Sequence, residues 1–234
     1  MSAPRTARDR ARAELTHEIK EAARRQLITG GAEQLSLRAV ARELGMVSSA
    51  LYRYYPSRDE LLTALIIDAY EALGDVAEKA AAAGNPRNYR ARWRAVCRAI
   101  RDWAVENPQE YALIYGSPVA GYNAPQSTVD PASRIPLALI GIAREAHAAN
   151  HLGTPYGPVM MSATLRKQLH ALAEFVEAGL PVEILGRLII AWTQLFGMIS
   201  FELFGHLKGS VDPSRPFFDF ATDQMADYLG LEGP

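Results

Sequence analysis

The chain has 234 residues, 49% of them hydrophobic and 22% charged, enough to bury a full core as one large domain or two unequal ones. Its single cysteine, Cys97, excludes an internal disulfide and a four-cysteine zinc cluster, which suits a reducing cytoplasm, although a secreted protein without disulfides shares that composition. The formal net charge of −1 conceals an uneven spread: residues 1–60 hold 11 basic and 8 acidic side chains, and the remainder hold 14 and 18. A basic front and an acidic body fit a protein that offers one end to a polyanion.

Taken in order, nearly every segment has helical periodicity. Leu15, Ile19, Ala22, Ala23 and Leu27 predict an amphipathic helix over about 8–29, stopped by Gly30-Gly31. The basic N-terminal stretch with Arg5, Arg8, Arg10 and Arg12 lacks the apolar core of a secretory signal, and its arginines form either an arm that tracks DNA or a solvated tail. Ser36 is placed to cap a short helix carrying Leu37, Val40, Ala41 and Leu44 inward, closed by Gly45. A second short helix follows over about 47–54 and ends at Pro56. Ser57 then caps a longer helix to about Ala83, with Asp59 and Glu60 in its first turn, where the helix dipole favours negative charge.

Beyond Gly84-Asn85-Pro86, helices are predicted at 88–106 and 108–115. Gly116–Arg134, with three prolines and two glycines, reads as a long loop able to gate a cavity. Further helices are predicted at 135–150, 158–178, 181–207 and 216–229. The window Ile184–Gly205 is long and apolar enough to span a membrane, but Arg187, Gln194 and Glu202 interrupt it, so a buried helix is the better reading. The expected organisation is all-α: a three-helix unit over 1–60, including the basic arm of about 1–12, and a larger helical body over 61–234.

Two very short helices joined by a glycine turn have few uses other than presenting the second helix to the major groove. With Leu37, Val40, Ala41, Leu44, Leu51 and Tyr55 packing inward and Met46 plugging the turn, the second helix exposes Ser48, Ser49, Ala50, Tyr52, Arg53 and Tyr54. Small residues at its start allow close approach to base edges, and Ala50 suits a thymine methyl. The tyrosine hydroxyls and Arg58 suit phosphate oxygens, as do Ser36 and Arg38 at the positive end of the preceding helix.

The runs Leu35–Gly45 (LSLRAVARELG) and Ala50–Leu62 (ALYRYYPSRDELL) resemble the helix-turn-helix of TetR-family transcriptional regulators. The resemblance implies an all-helical homodimer whose C-terminal body binds a small effector, usually with repression. Ser36, Arg38, Ser48, Ser49, Tyr52, Tyr54 and Arg58 match the family's DNA-contact positions. Two positions depart from the pattern. Val47 stands where a capping serine is usual, so the cap comes from Ser48 or is absent, and Tyr54 replaces a common histidine.

The body carries aromatic residues on helical faces, which read either as core or as the wall of an effector cavity. The candidate ligand-binding residues are Trp93, Trp103, Tyr111, Tyr115, His147, Gln168, Phe175, Trp192 and Phe196. Trp192–Gly197 (WTQLFG) also resembles the Trp-His-Gly motif of one TetR body class, with Phe196 in the histidine's place. The resemblance places the dimer seam on helices 181–207 and 216–229, and charge at Leu188 or Leu195 is expected to break it. Cys97, flanked by Arg94, Arg98 and Arg101, is either an activated thiol or a small core residue. His206 and Glu202 are spaced to meet on one helical face.

No metalloprotease, phosphate-loop or serine-hydrolase motif is present, and neither an enzymatic role, a metal nor a cofactor is expected. The expected function is a cytoplasmic, ligand-responsive regulator, a repressor, that binds a palindromic site on double-stranded DNA as a homodimer. A small effector releases it, and no membrane is involved. The alternative is a helical small-molecule-binding or catalytic protein without DNA activity.

Overall fold

The computed structural model describes residues 6–153 and 160–231, and among these the chain is helical with no sheet. The α-helices are α1 (Ala7–Gly30), α2 (Leu37–Glu43), α3 (Ser48–Leu51), α4 (Arg58–Ala82) and α5 (Tyr89–Glu106). They continue with α6 (Pro108–Tyr115), α7 (Val129–Ala148), α8 (Ala163–Phe175), α9 (Val182–Leu203) and α10 (Ser214–Leu229). Arg5 and the start of the helix predicted at 158 lie outside the described residues.

Most boundaries follow local chemistry. Thr6 and Asp9 form a reciprocal capping box, so α1 already includes Arg8, Arg10 and Arg12, and residues 7–12 are helix rather than arm. Gly31 ends α1 at φ 69°, its N–H donating to the Leu27 carbonyl at 3.0 Å. Ser36 caps α2 and Ser57 caps α4, each accepting from the N–H three residues on.

Two regions differ from the sequence reading. The second short helix is a single turn, and past Leu51 the chain tightens into turns that place Tyr54 and Tyr55 N–H on the Leu51 carbonyl at 2.9 and 3.1 Å. The long loop is shorter than expected: a single 3₁₀ turn covers Gln126–Thr128 and α7 begins at Val129. Pro131 sits in the first turn of α7, where its missing N–H costs nothing, and Pro136 lies inside the helix. Pro131 falls within the loop expected from the sequence, yet the helix includes it, and the buried stripe Ile135, Leu139, Ile142, Ala143 and Ala146 holds the helix together past Pro136.

Two compact units result: a head of residues 1–70 and 109–129, and a body of 71–108 and 130–234. The front unit thus reaches beyond residue 60 and takes in α6 with the segment that follows it. The head core is Ile19, Ala23, Leu27, Val40, Leu51 and Leu62 with their neighbours, and Val119 and Tyr122 of the 116–125 segment pack against it. Tyr122 and Thr63 hydroxyls meet at 2.8 Å. That segment is therefore tied to the head. In the head, Arg24 on α1 pairs with Asp68 on α4 and Glu110 on α6, each at 2.7 Å.

In the body, α5 and α9 both pack on α10, and α8 packs on α9. Arg101 of α5 and Glu202 of α9 form a largely buried, two-pronged ion pair. Glu202 is thus occupied by Arg101, while the His206 ring lies against Phe201 at 5.1 Å. Arg187, the charge that interrupts the apolar window of α9, is buried and donates to the Tyr228 carbonyl at 3.0 Å. Cys97 is fully buried, and burial pushes its thiol well above its ordinary value, so it is a core residue rather than an activated thiol.

Candidate nucleic-acid interface and body cavity

The corner between α2 and α3 requires Gly45, whose φ of 65° lies in the left-handed region that favours glycine. Met46 N–H closes the turn on the Ala41 carbonyl at 2.8 Å. Leu37, Val40, Ala41, Leu51 and Tyr55 are buried together, with Leu44 and Met46 packed at their edge. Val47 precedes α3 without a side-chain cap, so the serine cap is absent.

This packing leaves a continuous polar surface. Arg38, Ser49, Tyr52 and Arg53 are exposed, and Ser48 and Ala50 are half-buried at the start of α3. Tyr54 is half-buried against the head core, with the Arg12 guanidinium 5.5 Å from its ring centre. Arg8 and Arg12 of α1 and Arg53 line a polar notch beside Ala50 and Tyr54. Ser36 uses its hydroxyl as the α2 cap, and its N–H donates to Gln26 Oε1 at 3.1 Å.

Arg58 departs from expectation. Its guanidinium turns back to the Ala32 carbonyl at 2.8 Å and its Nε is buried without a partner, so it braces the α1–α2 connection. Arg12, expected in sequence on a DNA-tracking arm or a solvated tail, instead sits beside Tyr54, a placement that arises from packing across 42 residues of chain.

The body holds an apolar cavity of about 210 Å³. Pro136, Leu139 and Ile140 come from α7, and Leu172 and Val176 from α8 and its C-terminus. Leu185, Leu188, Ile189 and Trp192 of α9 complete the lining. Of the nine aromatic and polar candidates, Trp192 alone lines this cavity. Trp93 and Trp103 are body core. Tyr111 is buried in the head, and its ring stands 5.4 Å from Tyr115, which in turn meets Tyr70 edge-on at 6.2 Å. Burial raises the Tyr115 hydroxyl well above its ordinary value. His147, Gln168 and Phe175 point to the surface. Phe196 is buried and meets the Trp192 ring edge-on at 5.9 Å. Plain aliphatic residues line the cavity, and their spacing in sequence is that of any core helix.

The α7 helix also grips α4 within the body. The Arg134 guanidinium donates to Glu78 at 2.8 and 2.7 Å, to Asp75 at 2.6 Å and to the Glu71 carbonyl at 3.2 Å. A side chain at Gly74 would meet Arg134 at 3.0 Å, so the bare glycine lets the two helices close.

Leu188 and Leu195, expected on the dimer seam, are buried within the protomer. The exposed apolar residues of this region are Ile190, Phe201 and Phe204, each more than half exposed, together with Phe217 and Phe220. Gln194, Gly197, Met198, Phe201 and Phe217 border a shallow groove on that side.

A helical fold among the described residues, with a glycine-cornered helix pair in one unit and a separate helical body, is that of a DNA-binding regulator of transcription. Two family models agree: bacterial regulatory proteins of the tetR family over residues 19–65, and the tetracyclin repressor-like C-terminal domain over 93–225. The chain is 40% identical over 218 residues to the HTH-type transcriptional regulator Rv1816 of Mycobacterium tuberculosis, covering 88% of this chain and 89% of the relative. It belongs to the tetR family and is a transcriptional regulator rather than an enzyme.

Among solved structures, the regulatory protein SCO4313 is 34% identical with a TM-score of 0.76, covering 94% of this chain and 98% of that one. The TetR-family regulator PfmR of Thermus thermophilus shares the fold at 20% identity and a TM-score of 0.57, covering 92% and 98%. Regulators of this family bind DNA and small effectors, typically as dimers, and are cytoplasmic.

Proposed function

We propose that the protein is a ligand-responsive repressor that binds a palindromic operator as a homodimer and is released by a small effector held in its body. The observation that carries this reading is the exposed surface of Arg38, Ser49, Tyr52 and Arg53 around α3, backed by a fully packed head core. Ser48, Ser49 and Ala50 are assigned to base edges, and Arg38, Tyr52 and Arg53 to phosphates, with Ser36 and Tyr54 at the margin. Arg58 acts on DNA indirectly, by bracing the Ala32 turn ahead of α2.

The homodimer is assigned to α9 and α10. Ile190, Phe201 and Phe204 recur at helical spacing, and with Phe217 and Phe220 they would be an unusually apolar surface if left in water. Two heads so joined would enter successive major grooves roughly 34–36 Å apart.

Effector release is assigned to α7 and α4. The α7 helix lines the cavity and holds the Glu71–Glu78 stretch of α4 through Arg134, and α4 runs on into the head. A ligand that shifts α7 moves the α4 grip, provided it binds the two head spacings unequally.

Fluorescence anisotropy with the chain's own upstream DNA tests the reading. A saturable complex of two chains per palindromic site, weakening steeply with salt, is expected. Equal affinity for scrambled DNA at every salt concentration would remove the operator from the proposal.

A further inference from the structure

The arginines of the chain divide by what they hold. In the body, Arg90, Arg92, Arg98, Arg101 and Arg134 each pair with at least one carboxylate. In the head, Arg8, Arg12 and Arg53 line one notch of about 380 Å³ with no acidic residue in its wall. None of these three has an ion pair among the described residues. Ala11, Leu15, Met46, Ala50 and Tyr54 complete the wall, so the charges sit beside largely apolar surface.

Two contacts fix the charges in place. The Thr6–Asp9 capping box keeps the first turn of α1 helical, so Arg8 and Arg12, four residues apart, share one helical face. The Arg12 guanidinium lies 5.5 Å from the centre of the Tyr54 ring, a contact that holds it without neutralising it. Guanidinium groups gathered without a counter-charge repel one another. An oxyanion in the notch relieves that repulsion and accepts their N–H donors.

The neighbouring residues indicate which oxyanion. Ala50 and Arg53 line the notch and also belong to the part of α3 assigned to DNA. The major groove is only about 12 Å wide, so a duplex whose base edges meet Ser48, Ser49 and Ala50 brings one of its two bounding backbones to the α1 side of α3.

We infer that the notch between α1 and α3 is a phosphodiester site, in which Arg8, Arg12 and Arg53 together hold one backbone phosphate at the α1 edge of the groove that α3 enters. The inference rests on the operator reading, and it adds two residues of α1 and a fixed phosphate position in each half-site.

Ethylation interference with the full-length protein on the chain's own upstream DNA maps the phosphates whose charge binding requires. The parent protein should show a phosphate position, repeated in each half-site, that disappears from the pattern of Arg8→Ala/Arg12→Ala while the others persist. In anisotropy, Arg12→Ala should weaken operator binding about tenfold. Arg10→Ala removes the same charge from the same helix but does not line the notch, and should weaken binding by less than about twofold. Circular dichroism confirms that each variant is folded.

Equal losses from Arg10→Ala and Arg12→Ala would mean that α1 contributes only diffuse charge, and would overturn the inference. An interference pattern unaltered in Arg8→Ala/Arg12→Ala would also overturn it and, with the parent still bound to its operator, would leave the operator reading intact. Inorganic pyrophosphate bound in calorimetry by the parent but not by Arg12→Ala, with no phosphate missing from the pattern of the double variant, would give the notch to a free anion instead. A parent protein that formed no complex with its upstream DNA would fail the operator reading, and this inference with it.

Discussion

The head and the body solve their packing problems at different ranges, and this decides how each can be read. In the head, residues 36–58 supply the caps, the glycine corner, the inward stripe and the exposed polar edge within one short run. In the body, the cavity wall gathers Pro136, Leu172 and Trp192 from three helices, and the Arg101–Glu202 pair joins positions 101 residues apart. A site made of neighbours in sequence keeps a recognisable pattern of residue types. One made of distant aliphatic side chains shows only helical periodicity, which every core helix shares.

The sharpest break in this comparison is Leu51→Ala. Leu51 is fully buried where α3 meets α1 and α2, and its truncation should cost about 2–5 kcal/mol and abolish operator binding, read by denaturation and anisotropy. Light scattering should still report dimers, because the body core is untouched. Loss of the dimer in this variant would mean that the two units do not fold with the independence their separate cores suggest.

Next in size is Phe204→Glu combined with Phe220→Glu. Both side chains are more than half exposed in the protomer, so the variant should stay folded while becoming monomeric and binding operator at least tenfold more weakly. Charge at Leu188 or Leu195, in contrast, should unfold the body, since both are buried within one chain. Intact dimers of the double phenylalanine variant would move the seam off α9 and α10.

A smaller effect is expected from Arg53→Ala. Its exposure beside Tyr52 assigns it to phosphate, so affinity should fall across all DNA sequences and the slope of log affinity against log salt should flatten by about one. Loss of discrimination at one base pair with an unchanged slope would place Arg53 on a base edge instead.

The smallest effect lies in the body, at the Arg134–Glu78 contact. Hydrogen bonding from Arg134 holds the Glu78 carboxyl below its ordinary value of 4.5. A carboxyl depressed in the folded state stabilises the fold above its unfolded value and loses that contribution as pH falls through its folded value. The stability gap between the parent protein and Glu78→Gln should therefore be constant from about pH 7 to about pH 5 and close at lower pH. A gap that widened on acidification would mean that Glu78 is not the ionised partner of Arg134. The effect should be small, because the pair is partly solvated.

Much of the head was legible in the sequence. Ser36, Gly45 and Ser57 announced two helix starts and a corner, and the structure holds all three in those roles. The contact of the Arg58 guanidinium with the Ala32 carbonyl was not legible, since no local rule indicates that it reaches back there. In the body, Pro131 belongs to the loop expected from the sequence, but α7 starts at Val129 and the burial of Ile135, Leu139 and Ile142 carries the helix. The aromatic residues drew attention as a ligand site because their chemistry is conspicuous, while Trp93 and Trp103 proved to be core.

Local sequence was enough for the all-helical class, the helix-turn-helix head and the polar face it turns outward, because capping, turn geometry and amphipathic spacing act over a few residues. Long-range packing settled which aliphatic residues enclose a cavity and which leucines of α9 face inward. Those outcomes depend on how helices far apart along the chain fit against one another, and shape complementarity between distant surfaces leaves no local pattern to read.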